Sequence, residues 1–266
     1  MPISHVESKA NLIVGRDVEK YSERYESDYG FESVLVWYRH RLLIERLTTL
    51  RPDVVVEVGC GSEMLYEKWL RVADPSQCWV VVEPAQRFAA KAGVLGLPNL
   101  QVIEGFFEDS VDQVLRILPR RPDWVICSGL LHEVTAPDGL LRAARAVMGP
   151  QTRLHVNVPN SESLHRRLAY AMGLTSGTKE MSERNRTLMQ HRVYDRDSLR
   201  AELTDAAMRV VDEGGYLLKP FTHSQMERIS SELGTAVLNG LFLLGQQMPE
   251  SASEIWVEAR LANSST

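Results

Sequence analysis

The chain has 266 residues, 44% of them hydrophobic, with 30 basic and 35 acidic side chains and a formal charge of −5. That length suits one large domain, or one domain with a sizeable insertion, and the acidic balance argues against a general nucleic-acid binder. No apolar run reaches membrane-spanning length and the opening residues lack a basic-then-apolar signal, so a cytoplasmic protein with no membrane partner is expected.

The chain in order begins with a mixed stretch and then an aromatic-rich approach, Tyr21, Tyr25, Tyr29, Trp37 and Tyr38. Apolar spacing predicts a helix over 31–50, ended by Pro52. Residues 1–50 thus read as an N-terminal helical cap segment ahead of a main domain over 51–266. The aromatics either pack on a sheet edge or form a lid, with Tyr25 and Tyr29 candidates to shape an acceptor pocket. Arg39 and His40 on the same helix are candidates to face that pocket.

The organising stretch is 54–61, VVVEVGCG: an apolar strand through Glu57, then Gly59-Cys60-Gly61. Glycines permit the tight turn and let a ligand approach the backbone. A helix is expected over 62–72. Such a turn at the carboxyl end of a parallel strand is where an α/β protein binds a nucleotide-like ligand. A second strand over 79–82 ends at Glu83-Pro84, and an acid about 20 residues past the turn has the spacing for a ribose diol. Pro84 then opens a helix over 85–92. A third strand over 100–103 leads to a loop with two exposed-looking aromatics, Phe106 and Phe107, and a helix over 111–118. The fourth strand, over 123–127, ends in Ser128-Gly129. A loop or turn holding His132-Glu133 follows, then a helix over 140–147 stopped by Gly149-Pro150, and a fifth strand over 153–158. This alternation predicts a mostly parallel sheet covered on both faces, with right-handed crossovers.

Residues 160–192 break the rhythm with helices over 163–172 and 182–189, a helical cap insertion. Within 161–200 eight Lys or Arg stand against five Asp or Glu. The patch is either a solvated flap or a cap that attracts an anionic substrate through Arg166, Arg167, Lys179, Arg186, His191 and Arg192. Asp195 or Asp197 starts the next helix. Strand six begins at 208 and resumes beyond Gly214-Gly215, read as a bend or turn. A helical stretch over 222–244 breaks near Gly234 or Gly240, and its apolar end reads as core ahead of a dimer interface, so a monomer or homodimer is expected. The last strand spans 254–261. Cys60, Cys78 and Cys127 have neither zinc spacing nor a disulfide pattern.

Glu57-x-Gly59-x-Gly61, Glu83 and Gly149-Pro150 together resemble a class I S-adenosylmethionine-dependent methyltransferase over residues 30–261. Residues 158–160, 163–167, 171–173 and 191–195 look more specifically like a bacterial subgroup related to ubiquinone- and menaquinone-type methyltransferases, often modifying sugars or natural products. The resemblance implies an α/β, Rossmann-like seven-stranded sheet, mostly parallel with the last strand antiparallel, and S-adenosylmethionine as cofactor. It also implies roles. Glu57 would help hold the amino-acid end of the cofactor, Gly59 and Gly61 its floor, and Glu83 the ribose hydroxyls. Phe106 or Phe107 would wall the adenine, and Ser128 and Gly129 would pass beside the methionine part.

Two departures carry information. Glu63 stands where many members have a third glycine, and an acid there repels a pyrophosphate, which counts against an NAD-dependent oxidoreductase. His132-Glu133 exchanges the acid-histidine order of the quinone-type relatives. Methyl transfer from a sulfonium is an in-line displacement, and a hydroxyl acceptor benefits from a base. His132 is the first candidate, with Glu133 to orient it; a structural or cofactor-packing role is the alternative. His165 and His191 follow, as catalytic groups or as anion ligands with Arg166, Arg167 and Arg192. The acceptor is expected to be a natural product, sugar or anionic metabolite methylated on O or N. No metal site is expected, since His132-Glu133 lacks a second histidine. The competing readings are a cofactor-binding protein without methyl transfer, the oxidoreductase, and an RNA methyltransferase.

Overall fold

The computed structural model describes residues 30–188 and 190–262. Among these, seven strands form one sheet in the order β3-β2-β1-β4-β5-β7-β6. They are β1 (Val54–Val58), β2 (Cys78–Glu83), β3 (Leu100–Glu104), β4 (Trp124–Ser128), β5 (Arg153–Pro159), β6 (Met208–Tyr216) and β7 (Glu254–Leu261). The first five are mutually parallel, and β7 is antiparallel to both β5 and β6. This is the expected Rossmann-like sheet. Every residue of β1 and β2 is buried. Helices on both faces explain why these strands read as continuous apolar runs without alternation.

Chain order reverses between β1 and β4, which opens a crevice beyond their carboxyl ends. Two buried clusters fill the sheet's faces, one around Val56, Val125 and Val156, the other around Val55, Trp79 and Trp124. A third gathers Phe31, Leu35, Tyr38, Tyr216 and Phe242 at the sheet end. Helix α1 (Glu32–Leu50) contributes to the second and third clusters through Leu43, Leu47 and Leu35, so it packs on the same body as the strands. Arg51, in the left-handed region at φ 46°, ends it before Pro52.

Several local expectations need correction. Helix α2 (Leu65–Trp69) is far shorter than 62–72, because the Glu57 carboxylate accepts the Leu65 N–H and Met64 stays extended. Helix α3 (Gln86–Val94) starts after Pro84, since Glu83 captures the Ala85 N–H. Helix α4 (Phe107–Ile117) begins earlier than expected. Phe107 is its first residue and is buried at 2% exposure, the opposite of the exposed aromatic anticipated. Gly214-Gly215 makes no turn. Strand β6 runs straight through it, pairing Gly214 with Trp256 and Gly215 with Ile255. A Cβ at Gly214 would stand 2.8 Å from the Trp256 ring, so that glycine is there for close packing.

Helix α5 (Pro137–Val147) leads into β5. Beyond β5 come α6 (Leu164–Ala171), α7 (Glu183–Thr187), α8 (Arg196–Asp205), α9 (His223–Leu233) and α10 (Thr235–Gln247). Asp195 caps α8 in a reciprocal capping box with Ser198. The break between α9 and α10 falls at Gly234, φ 73°. Within α10 Leu238 and Phe242 are core, while Leu243 and Leu244 are exposed.

Candidate active site

The glycine turn forms the floor of the crevice. Gly59 and Gly61 lie at φ 72° and 58°, in the left-handed region that favours glycine. A Cβ at Gly59 would meet Leu130 Cδ2 at 2.9 Å, whereas one at Gly61 would meet nothing within 4 Å. Glu57 braces the turn from below: its carboxylate accepts the Leu65 N–H at 3.2 Å and the Trp79 indole N–H at 2.8 Å. Burial pushes Glu57 up to about 7. Glu83 accepts the Gly61 N–H at 3.1 Å and the Ala85 N–H at 2.9 Å. Glu83 lines the cavity at the end of β2, so the ribose role is compatible with this position.

From β4, Gly129 turns at φ 70° and donates its N–H to the Asn157 carbonyl at 3.0 Å. Residues 130–134 form a tight turn closed by Glu133 N–H to Leu130 O at 2.8 Å. That turn buries His132 and Glu133, with His132 Nε2 3.8 Å from Glu133 Oε1. The His132 carbonyl accepts the His191 N–H at 2.9 Å, tying the segment after β5 to the turn after β4.

The cap residues divide. His165 and Arg166 reach the cavity, whereas Arg167, His191 and Arg192 are outside its lining. Arg166 donates to the Thr178 and Glu180 carbonyls at 2.8 and 3.0 Å and to Asn185 Oδ1 at 2.9 Å, so it holds the cap loop. Arg167 pairs with Glu162 at 3.3 Å, Lys179 with Asp195 at 2.5 Å, and Arg192 approaches Glu202 at 4.0 Å. Burial first, then the charges of Lys219, Arg166 and His223, lower His165 to about 3. Its Nδ1 lies 3.1 Å from Ser163 Oγ. Tyr21, Tyr25 and Tyr29 lie outside the described residues.

One cavity of about 670 Å³ joins these parts. It runs from Glu83, Phe106 and Phe107, past Gly59, Gly61, Ser128 and Gly129, to His132, His165 and Lys219. Sequence reasoning missed Lys219, His223 and Glu254. Glu254 is buried and accepts from Arg39 Nε at 3.1 Å, Asn157 Nδ2 at 2.7 Å, Arg39 Nη2 and the Tyr216 hydroxyl. Burial alone would raise its pKa, but the Arg39 guanidinium overrides this and holds it below the usual carboxylate range. Arg39 thus faces the cavity. Ser128 Oγ and His40 Nδ1 are buried there and find no hydrogen-bond partner among the described residues. Among the described residues no group of three His, Cys, Asp or Glu is arranged to hold a metal ion.

A protein-family model described as "Methyltransferase domain" matches residues 36–213. No curated protein matches the chain in sequence. Among solved structures, magnesium protoporphyrin IX methyltransferase from Synechocystis PCC 6803, with bound SAH, superposes with a TM-score of 0.57 at 14% identity, over 92% of this chain and 98% of that one. The Burkholderia thailandensis 1,6-didemethyltoxoflavin-N1-methyltransferase gives 0.55 at 13% identity, over 99% and 93%. The cyclase SpnF gives 0.51 at 16%, over 85% and 81%. At these identities the likeness is one of fold.

Proposed function

The chain belongs to the methyltransferase-domain family, and from that premise we propose that it is a class I enzyme transferring a methyl group from S-adenosylmethionine to an oxygen or nitrogen of a small acceptor. The observation that carries this reading is the single cavity in which the Gly59–Gly61 turn and Glu83 share walls with His132 and the cap. Its volume is that of a small-molecule site. When bound, the donor supplies an electrophilic methyl on a sulfonium.

The chain's own residues then have distinct tasks. Glu83 accepts the ribose hydroxyls and Phe106 offers an apolar wall. Gly59, Gly61 and Gly129 admit the ligand close to backbone, and the two atoms unpartnered among the described residues, Ser128 Oγ and His40 Nδ1, suit a polar ligand there. His132 takes the acceptor's proton, oriented by Glu133. Lys219 and Arg166 give the acceptor end cationic side chains, and His165 adds a neutral ring beside them, which favours an anionic metabolite or an acidic natural product over a neutral sugar. The reading as an RNA methyltransferase is weakened by the pairing of Arg167 and Lys179 with the chain's own carboxylates. Glu63 lines the cavity at the turn but is paired with Lys68, so its charge alone counts little against a pyrophosphate. No helix among the described residues is long and apolar enough to cross a membrane.

A cyclase shares this fold, so fold does not decide the reaction. The test is calorimetric titration of ligand-free protein with S-adenosylmethionine, S-adenosylhomocysteine and NAD, followed by transfer of a labelled methyl group to a panel of acids and sugars. Binding of the first two, no binding of NAD and label in an acceptor are expected. NAD binding alone overturns the reading, and donor binding without transfer to any acceptor would favour a protein that keeps the site but not the turnover.

A further inference from the structure

An amphipathic helix ordinarily turns its apolar stripe onto the core. Helix α6 does not. No side chain from Leu164 to Ala171 is fully buried. Leu168 is 37% exposed, and Met172, the C-cap, is 63% exposed. The end of the helix is nonetheless well formed. Gly173, at φ 72°, lets the Gly173 and Leu174 N–H groups bond back to the Tyr170 and Ala169 carbonyls at 2.9 Å each. Tyr170 and Leu174 add further exposed side chains, and the run 168–174 carries no charge.

The stripe begins inside the cavity. His165 lines it, and Leu168, Ala169 and Met172 follow at the three-, four- and seven-residue spacing that keeps side chains on one helical face. The His165 ring is neutral and lies within reach of the charges of Lys219 and His223, so the segment 219–223 stands beside the first turn of α6. That segment carries Phe221, which is exposed, between the cavity-lining Lys219 and Thr222. Apolar side chains therefore lead out of the cavity on two elements, α6 and the link from β6 to α9. The buried Lys219 stays at the inner end.

We propose that the acceptor is an amphiphile, with an acidic head group that enters the cavity toward Lys219 and an apolar tail that leaves over Leu168, Met172 and Phe221. The proposal rests on the reading of an anionic small acceptor above and narrows it. Two considerations select a tail over other occupants of the stripe. Its few exposed side chains fall well short of the roughly 800 Å² per partner of a standard protein interface. An anionic lipid surface would need cations beside it, and Arg167 and Lys179 are already paired with Glu162 and Asp195. A tail needs only an apolar wall continuous with the cavity that holds its head, and α6 supplies one.

The experiment uses protein saturated with S-adenosylhomocysteine and titrates it by calorimetry with butanoate, octanoate and dodecanoate below their micelle concentrations. Affinity is expected to rise by about twofold to fourfold per added methylene, the scale of burying a CH₂ in part or wholly. Leu168→Ser and Met172→Ser should each lower dodecanoate affinity by about fivefold or more and leave butanoate within about twofold. Both positions are exposed, so both variants are expected to fold. Leu243→Ser, an exposed position of α10 outside the cavity lining, should change neither. Affinity that does not rise with chain length, or a rise that survives in both α6 variants, overturns the proposal. So does a loss of the same size in Leu243→Ser, which would mean unspecific adsorption. A dimer in size-exclusion chromatography that Leu168→Ser splits, with the series unchanged, would give the stripe to a second copy and overturn it too. Binding of S-adenosylhomocysteine with a flat series overturns the tail alone. Failure of S-adenosylhomocysteine to bind overturns the donor reading and the tail with it.

Discussion

Arg46 of α1 grips Glu258 of β7 through two hydrogen bonds of 2.8 Å, one to each carboxylate oxygen. The same guanidinium reaches Asp212 of β6 at 2.5 Å and lies 4.8 Å from the centre of the Trp256 ring. Arg153 of β5 adds a bond of 2.9 Å to Glu258. One helix and three strands are therefore joined through a carboxylate with no solvent exposure.

This cluster sets an acid limit on stability. Burial alone would raise Glu258, but His155 and Arg46 bring it down to about 2. A carboxylate whose folded pKa lies below its unfolded value stabilises fully above that unfolded value, about 4.3 for Glu. The contribution is lost as pH falls through about 2. Urea denaturation at stepped pH should show stability declining from pH about 4.3 downward. Glu258→Gln should cost about 3–5 kcal/mol at pH 7 and flatten that decline, because it leaves Arg46 and Arg153 without their partner.

The two turn glycines should separate folding from binding. Gly61→Ala places its Cβ in open space, so the cost is backbone strain of about 1–2 kcal/mol. Its methyl group also enters the cavity floor, and S-adenosylhomocysteine affinity should fall by about tenfold or more. Gly59→Ala adds a 2.9 Å clash with Leu130 to the same strain and should lower melting temperature and affinity together. A thermal melt and one titration per variant read both effects.

Arg166 and Arg167, neighbours in sequence, should behave differently. Arg166→Met removes two hydrogen bonds to the loop between α6 and α7 and one to Asn185 within α7, so hydrogen exchange over residues 178–185 should accelerate. Arg167→Met removes one exposed pair with Glu162, worth about 0–1 kcal/mol, and should leave exchange unchanged. Equal acceleration in both variants would mean that Arg166 does not hold the loop.

That contrast shows where the sequence stops being informative. The parallel core strands, the glycine turn and Glu83 are local patterns, and they were legible as such. A charge count over 161–200 could not reveal that Arg167 and Lys179 are paired with Glu162 and Asp195 while Arg166 turns inward. Glu254 and Tyr216 come from the last third of the chain. They reach Arg39 only because β7 inserts between β5 and β6, a pairing that no local period encodes. Gly214-Gly215 carried the composition of a turn, yet Gly214 answers to the ring of Trp256 on the neighbouring strand and Gly215 to Ala252 and the Pro249 backbone.

Two glycines within α10 extend the same point to a stability measurement. In an exposed helix interior Gly→Ala ordinarily stabilises by about 0.8–1 kcal/mol. A Cβ at Gly240 would meet nothing within 4 Å, so Gly240→Ala should follow that rule and raise the unfolding midpoint. A Cβ at Gly245 would stand 2.2 Å from the Leu217 amide nitrogen and 2.6 Å from the Tyr216 carbonyl carbon. Backbone cannot rotate away as a side chain can, so α10 must lift off the end of β6. Tyr216, Leu217 and Phe242 pack together there. Gly245→Ala should therefore destabilise by several times what Gly240→Ala gains, about 2–4 kcal/mol on the scale of core overpacking. Equal and opposite small shifts in the two variants would mean that α10 does not press on β6 as described.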